Sequence, residues 1–421
     1  MTQFRVLPVR DGDAYLLKSR RGSYLVDGGG LGCGLPELLR ERKVRKLRAA
    51  ICSSARPEKL GGILELIGSG QAVSEFWFPD RVGALPEQAR RFNGDLIEWR
   101  MGTVGGSEPG PVFQWPGFRE PVSEEERWLQ GAAALLMLGL SVLPLNEFYP
   151  ARDMEELFGS IFHSLSSCGV SRWRGRCDVA SRIFRDIGLH LLSGGGTGAL
   201  AFACGRLLLA EADAGRLGDC RANTVRGLAC AAMAATVISR LNGKLRFFHR
   251  TDRLEEELVP RHPLRCLNGV ETEPLKGMKG KVVSSDLLRD AGRFSGVREG
   301  LVFQYGDADC GALLCGDGKM RFLGRRKLLH LDRPTVIAAP CRGSVVADRA
   351  YPYIRSLDPT RDVWVRGALP SGRKISACYR RRLDAACLKN CKTLTLQEIF
   401  LEFGGGRWKT LVGACNFRSS F

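Results

Sequence analysis

The sequence has few histidines and no long apolar run. Only five of its 421 residues are histidine, and none of the five has a second ligand at metal-binding spacing. A histidine-based zinc centre of the hydrolytic type is therefore not expected. The longest uncharged apolar stretch, residues 131–145, is 15 residues long and contains a proline. Such a stretch is short for a membrane span, so we expect no membrane segment.

The N-terminal region lacks the apolar core of a secretory signal. Its first residues include the charged Arg5, Arg10, Asp11 and Asp13, which a signal peptide would not carry there. Fifteen cysteines in a chain without an export signal are typical of reduced thiols, not of a disulfide framework. These features predict a cytoplasmic protein.

Acidic residues are fewer than basic residues in this sequence. Asp and Glu together count 45 against 63 Lys and Arg, which gives a net charge of +18 and a pI near 9.5. A charge of this size favours contact with nucleic acid, with another polyanion or with an acidic protein. The basic runs at 40–48, 172–176, 324–327 and 379–382 each resemble a solvated face. The total charge predicts a partner, most simply another protein subunit, with nucleic acid as a second candidate.

Two of the basic stretches also contain aromatic residues. These are "RWRGR" at 172–176 and "KLRFFHR" at 244–250. Such interleaving fits a nucleic-acid surface, and it fits equally well a helix whose arginines extend along apolar neighbours. Both interpretations stay open from the sequence.

The order of strand-like and helix-like segments predicts an α/β protein with a large helical insertion. Residues 1–118 contain short β-like runs separated by turns and then a β-α-β pattern. Residues 119–290 are rich in Ala, Leu and Arg and are predicted to be mainly helical. Strands return in residues 291–375, and residues 376–421 form a cysteine-containing C-terminal segment.

Four short motifs occur in an order known from one family. They are "VRDGDAYLLKSRRGSYLVDGGG" at 9–30, "SSARPEKLGG" at 53–62, "LLCGDG" at 313–318 and "APCRGS" at 339–344. In that order they resemble the DNA-uptake (competence-protein) branch of the metallo-β-lactamase fold superfamily. The resemblance covers roughly residues 1–115 and 295–370. It implies an αββα sandwich, in which two β-sheets pack face to face with helices outside.

The resemblance also implies where the metal ligands of the family should be. Counting back from Gly61 and Gly62 and aligning the later motifs gives Asp27, Ser54, Arg56, Glu58, Lys59, Asp317, Cys341 and Arg342. Every histidine of the family pattern is replaced. Only the two aspartates at positions 27 and 317 match acidic residues that the family keeps.

The replacements suggest how the pocket is neutralised. Two zinc ions bring +4 of charge to their carboxylates, and the cations Arg56, Lys59 and Arg342 would supply most of that charge without metal. Buried charges are tolerated only when they pair closely. The hypothesis is therefore an ion-pair cluster in place of the dimetal centre, with no catalytic residue and no cofactor. The alternative is one remodelled metal held by Glu58, Asp317 and Cys341.

These features together predict a catalytically inactive pseudo-hydrolase that acts as a basic scaffold or interaction protein. The resemblance implies a bacterial multi-protein assembly for antiviral defence or DNA processing. The alternative is a phosphodiesterase or nuclease with the remodelled single-metal site. Metal content discriminates between the two.

A second cysteine group lies near the C-terminus. Cys378, Cys387, Cys391 and Cys415 could hold a single structural zinc ion. Their spacing is loose and is not that of paired Cys-x-x-Cys motifs. Unligated, partly buried thiols are the other interpretation.

Overall fold

The computed structural model describes most of the two ends of the chain and parts of its middle. With short gaps, the described residues are 1–91, 219–241, 244–255, 262–273, 284–296 and 300–414, together with separate helical positions between 132 and 212. They form two compact units. The first unit comprises Met1–Asp80, Gly243–Glu273 and Val297–Phe421, and the second comprises Arg81–Asn242 and Pro274–Gly296.

The described strands and helices are numbered in chain order. The strands are β1 (Thr2–Val6), β2 (Tyr15–Ser19), β3 (Gly22–Val26), β4 (Lys46–Leu47), β5 (Ala49–Ile51), β6 (Ala72–Val73), β7 (Glu75–Pro79), β8 (Lys244–Arg250), β9 (Leu264–Cys266), β10 (Gly269–Thr272), β11 (Phe303–Gly306), β12 (Gly311–Leu314), β13 (Leu329–Leu331), β14 (Thr335–Ala338), β15 (Ile354–Ser356), β16 (Val363–Arg366), β17 (Ala385–Cys387), β18 (Ile399–Gly404) and β19 (Arg407–Val412). The helices are α1 (Leu35–Glu41), α2 (Pro57–Gly68), α3 (Asp80–Arg91), α4 (Asp219–Ile238), α5 (Ser284–Gly296) and α6 (Ala377–Arg380). Short 3₁₀ segments are Arg321–Leu323, Pro340–Gly343, Val345–Tyr353 and Pro359–Arg361.

The first unit contains a nine-stranded mixed sheet. Its strand order is β10-β8-β7-β5-β3-β2-β1-β18-β19. Strands β1, β2 and β3 form antiparallel hairpins, as the turn residues between them predict. Strands β3, β5, β7 and β8 run parallel to one another. Parallel neighbours need a crossover connection, and α1 and α2 lie in two of these connections.

A six-stranded sheet forms the other large element of the same unit. Its order is β17-β16-β14-β12-β11-β9. Strands β12, β14, β16 and β17 are parallel, whereas β9 and β11 are antiparallel additions at one edge. The parallel strands are short and almost entirely buried, as expected for strands covered on both faces.

The two sheets share one apolar core. Side chains from both sheets belong to the same buried cluster, and aromatic pairs join them. The rings of Trp77 and Phe303 are 6.1 Å apart, and those of Tyr24 and Tyr305 are 6.2 Å apart. The sheets therefore pack face to face.

The outward face of the six-stranded sheet is covered by non-strand segments. Ile337 and Trp364 of that sheet share a second buried cluster with Ala350 and Tyr351 of the segment Val345–Tyr353. The first unit is thus a mixed α/β structure with facing sheets, and the predicted α/β class is confirmed.

The basic stretch "KLRFFHR" is strand β8, not part of a helix. Arg246 within it is buried and donates to Glu75 at 2.8 Å and Glu271 at 2.7 Å. Phe247 and Phe248 of β8 are buried like Arg246. The stretch mixes aromatic and basic residues because Glu75 and Glu271 pair with Arg246 in the interior. Strands β9 and β10 follow within residues 264–272. The interval 119–290 therefore contains three strands, which lie between α4 and α5 in the chain.

The described residues of the C-terminal segment 376–421 contribute strands to both sheets. Strand β17 extends the six-stranded sheet, and β18 pairs with β1 in the nine-stranded sheet. The hairpin β18–β19 turns through Gly404, Gly405 and Gly406, and the last two have positive φ values of 62° and 72°. Glycine adopts this conformation without steric cost.

The described part of the second unit is helical. α4 is buried along nearly all of its length, which is typical of a helix surrounded by others. It approaches α5 closely at Gly227, where a Cβ atom would lie 2.0 Å from the carbonyl oxygen of Ala291. Among the described residues, no helix has the length and apolar character needed to cross a membrane; the stretch 131–145 lies largely outside them.

Candidate functional site

The residues that the family resemblance singled out lie where parallel strands end. Asp27 follows β3 directly, and Ser54 lies shortly after β5. Asp317 and the segment Pro340–Gly343 follow β12 and β14 in the other sheet. The carboxyl ends of parallel strands are a common place for binding and catalytic sites. Contacts such as Leu301 N to Ser53 O, at 2.8 Å, connect the loops of the two sheets here.

Lys59 is the centre of the site. It lies near the start of α2, and its side chain is fully buried. Its Nζ atom donates to Oδ2 of Asp27 at 2.9 Å and also to Oδ2 of Asp13. Both carboxylates are themselves fully buried. One ammonium group therefore joins two carboxylates from different loops.

Arg342 is the second buried cation. Its Nε donates to Oδ2 of Asp13 at 3.1 Å, and Nη1 donates to the carbonyl oxygen of Ala368 at 3.3 Å. Arg342 and its neighbour Cys341 have φ values of 57° and 47°, the left-handed region that non-glycine residues seldom adopt. This backbone conformation accompanies the placement of the guanidinium group beside Asp13. We call Asp13, Asp27, Lys59 and Arg342 the Lys59 cluster.

Asp27 is also held by hydrogen bonds from Ser53. The backbone N–H of Ser53 donates to its Oδ1 at 2.7 Å, and the Ser53 hydroxyl donates to Oδ2 at 2.8 Å. Asp27 also has a positive φ of 61°. The loop after β3 needs glycines for close packing, because a Cβ atom on Gly28 would lie 2.4 Å from the backbone nitrogen of Ile63 in α2.

A second set of ion pairs lies nearer the surface. Nη1 of Arg56 is 3.2 Å from Oδ2 of Asp317 and 3.3 Å from Oε1 of Glu58. The side chains of Arg56 and Glu58 are about 26% and 33% exposed, whereas that of Asp317 is 11% exposed. We call these the outer ion pairs.

The two remaining candidate positions carry uncharged side chains. The Ser54 hydroxyl is buried and has no hydrogen-bond partner, while its carbonyl oxygen accepts from the thiol of Cys52 at 2.8 Å. The Cys341 thiol donates to the carbonyl oxygen of Asp317 at 3.5 Å. All eight predicted positions thus lie in neighbouring loops of the first unit or in the first turn of α2.

Burial and pairing oppose each other in the pKa values of the cluster. Burial alone would raise the pKa of Asp13, but Lys59 and Arg342 hold it below its ordinary value of 3.8. Burial raises the pKa of Asp27 above 3.8, and Lys59 offsets only part of that effect. Burial would lower the pKa of Lys59, yet the attraction of Asp13 and Asp27 keeps it well above 10.5. Pairing therefore keeps the ammonium charged in the interior.

Asp13 is the residue that the sequence analysis did not assign to the site. It lies in the turn before β2 and accepts from both buried cations through one oxygen. A Cβ atom on Gly367 would lie 2.0 Å from its other oxygen, Oδ1. The sequence did contain a signal, because Asp13 lies in the first of the four motifs that carry the resemblance, residues 9–30.

The described residues contain no group of three or more His, Cys, Asp or Glu side chains that could hold a metal ion. Two of the described histidines already contact carboxylates: His249 lies 2.6 Å from Asp80, and His262 lies 3.1 Å from Glu75. Neither carboxylate belongs to the Lys59 cluster or to the outer ion pairs.

The C-terminal cysteine group is only half within the described residues. Cys387 is buried in β17, and its sulfur accepts from Nε of Arg366 at 3.0 Å. Cys378 lies in α6 and is partly exposed. Cys391 and Cys415 lie outside the described residues, so the structural zinc stays a prediction.

No protein-family model matches this sequence, and comparisons with curated proteins and with solved structures found no significant match.

Proposed function

We propose that this protein is a catalytically inactive relative of the metallo-β-lactamase fold in which the Lys59 cluster replaces the dimetal centre. The observation that carries the proposal is the fully buried Nζ of Lys59, bonded to both Asp13 and Asp27. The facing sheets and the position of the cluster at the strand ends support the family assignment made from the four motifs.

The charges within the cluster cancel. Lys59 and Arg342 carry +2, and Asp13 and Asp27 carry −2. A metal ion here would have to displace the ammonium or lie against it, and both arrangements are unfavourable in a low-dielectric interior. The substituted loops are therefore held by ion pairs where the family uses zinc.

The proposed role is that of a basic scaffold. The net charge of +18 does not come from the cluster, which is neutral, so the surplus lies elsewhere on the molecule. We propose a cytoplasmic subunit that contacts another protein, and nucleic acid as a second partner, within a bacterial defence or DNA-processing assembly. The type of assembly is inferred from the family resemblance. The type of partner is inferred from the net positive charge.

One observation favours a second candidate, a phosphodiesterase or nuclease with a single metal. Glu58 and Asp317 both form ion pairs with the guanidinium group of Arg56. A divalent ion that displaced Arg56 could therefore bind two carboxylates. Cys341 lies beside Asp317 and could add a thiolate ligand. This enzyme would hydrolyse a phosphodiester with added Mn²⁺ or Zn²⁺ and would lose that activity in Asp317→Ala.

Restoring the family ligands tests the proposed function. The variant combines Ser54→His, Arg56→His, Glu58→Asp, Lys59→His and Cys341→His, and zinc binding is measured by calorimetric titration. We expect tight zinc binding in the variant and none at this site in the wild type. The single variant Lys46→His, at an exposed position of β4, is the matched control. A folded variant that binds no more zinc than the wild type would contradict the family assignment.

A further inference from the structure

Arg382 is an arginine whose guanidinium group lies over two aromatic rings. It follows α6 in the basic run "YRRR", and its guanidinium carbon lies 4.1 Å from the ring centroid of Trp364 and 5.4 Å from that of Tyr351. Those rings stack on each other with centroids 5.4 Å apart, and both residues are almost completely buried. We call Arg382, Trp364 and Tyr351 the Arg382 platform. Its guanidinium group is fixed in orientation by this packing.

The Arg382 guanidinium lacks the acceptors that the other buried cations have. Its Nε is buried and has no hydrogen-bond partner. Within the described part of the chain, no carboxylate lies at ion-pair distance from it, in contrast to Lys59, Arg246 and Arg342. Asp362 is the acidic side chain that attracts it, but that carboxylate is buried and accepts the backbone N–H of Thr335 at 2.8 Å.

Arg382 is only partly buried, and Nε is its one nitrogen that is buried without a partner. The other guanidinium nitrogens can therefore donate to water or to an anion. Burial lowers the pKa of Arg382, and the nearby Arg355 lowers it further. Hydrogen bonds between a guanidinium and an anion are among the stronger ones in proteins. The platform therefore has the chemistry of an anion receptor, in which stacking has already fixed the fork of donors.

Further cations lie next to the platform. Arg355 is exposed on β15, and its register partner on the parallel strand β13 is the exposed His330. Register partners project from the same face of a sheet. Arg381 is exposed and adjacent to Arg382 in the chain. Arg355 and Arg381 thus add exposed positive charge near Arg382, which suits a ligand carrying several anionic groups.

We propose that the Arg382 platform, with Arg355 beside it, binds the phosphate backbone of a nucleic-acid strand. The guanidinium fork matches phosphate oxygens, and the net charge of the chain favours a polyanion. The choice of nucleic acid as the ligand rests on the proposed function. The contact itself uses no residue of the Lys59 cluster or of the outer ion pairs. Failure of this contact and failure of the pseudo-hydrolase assignment are therefore separate results.

The test is fluorescence anisotropy with a labelled single-stranded oligonucleotide of about 20 nucleotides, measured at several salt concentrations. We expect Arg382→Gln to weaken binding at least about tenfold, because charge-assisted hydrogen bonds are lost. The slope of log affinity against log salt should fall in magnitude by about 0.7 for each phosphate contact removed. Arg382→Lys should bind with intermediate affinity, since it keeps the charge but not the fork.

The matched control is Arg21→Gln, an exposed arginine in the β2–β3 turn. Unchanged binding in Arg382→Gln, or an equal loss in Arg21→Gln, would overturn the proposal. Tighter binding of polyglutamate than of an oligonucleotide of equal charge would also overturn it, in favour of an acidic protein. If Arg382→Gln does not fold, the substitution Arg355→Gln at an exposed position tests the proposal in its place. Arg355→Gln should also weaken oligonucleotide binding, and Arg21→Gln remains the control.

Discussion

At the scale of single residues, Lys59 has the largest energetic consequence. A fully buried ammonium costs several kcal/mol in lost hydration, and close pairing is needed to offset that cost. Here two carboxylates bond to the same nitrogen, and Arg342 bonds to one of them. Removing one member leaves the others charged and uncompensated, so the cluster should behave as a unit.

We predict that Lys59→Met lowers the free energy of unfolding by about 3–5 kcal/mol at neutral pH, because it strands buried carboxylates. The loss should shrink on acidification. Burial already raises the pKa of Asp27 above 3.8 in the presence of Lys59, which offsets part of the effect. Without Lys59 that pKa rises further, so Asp27 protonates at a higher pH in the variant than in the wild type. The stabilisation due to this protonation is present at low pH and disappears as the pH rises through the folded-state pKa, so the variant regains stability relative to the wild type on acidification. Urea denaturation between neutral pH and about pH 4 measures both effects.

Two further variants control this prediction. Lys59→Met combined with Asp27→Asn should regain part of the loss, since it removes one stranded charge. Lys46→Met, at an exposed lysine, should change stability by less than about 0.5 kcal/mol. An equal loss from Lys59→Met at every pH would show that the carboxylates are not the cause.

Individual site residues could be predicted from the sequence to different degrees. Counting from Gly61 and Gly62 led to Arg56, Glu58 and Lys59, which the structure places in adjacent ion pairs. Asp13 was not assigned because its role depends on the approach of a hairpin turn to α2. The predicted ion-pair cluster did not include Asp13, yet Lys59 bonds this carboxylate as well as Asp27.

At the scale of elements, periodicity located most strands of the first unit but misassigned two regions. The sequence of β8 did not distinguish a strand from a helix, because the charged Arg246 is buried there. Its burial depends on two carboxylate partners that are distant in the sequence. The β18–β19 hairpin was overlooked, although "IFLEFGGGRWKTLV" has an alternating pattern around a glycine turn. In both regions, pairing with distant strands decided the structure.

Close helix packing at Gly227 gives a prediction for the second unit. A Cβ atom there would lie 2.0 Å from a backbone oxygen of α5. We expect Gly227→Ala to cost about 1–3 kcal/mol by forcing the helices apart, which exceeds the roughly 1 kcal/mol gained in helix propensity. Hydrogen exchange of α4 peptides should therefore become faster.

Gly292→Ala in α5 is the matched substitution. Its Cβ atom would lie 3.1 Å from Oγ1 of Thr224, a distance that a shift of only a few tenths of an ångström relieves. The propensity gain should then dominate, so exchange stays unchanged or slows. Faster hydrogen exchange in Gly292→Ala would contradict the packing described for these helices. An unchanged exchange rate in Gly227→Ala would contradict it as well.

At the scale of the whole molecule, the Lys59 cluster and the surplus positive charge are separate features. The cluster is neutral and buried, and the surplus of +18 includes the exposed cations beside the Arg382 platform. A buried neutral cluster suits a structural role, whereas exposed unpaired cations suit contact with a polyanion. In the proposed account, the former catalytic region holds the fold together and the surface does the binding.

The most direct test of the central claim is the metal content of the purified protein, measured by elemental mass spectrometry without chelator. The measurement includes Cys387→Ser/Cys391→Ser and Asp317→Ala variants. The account predicts no bound metal, or zinc that is lost with the two cysteines and retained in Asp317→Ala. Metal that stays in the cysteine variant but is lost from Asp317→Ala would contradict it, because the pocket around Lys59 would then still be a metal site.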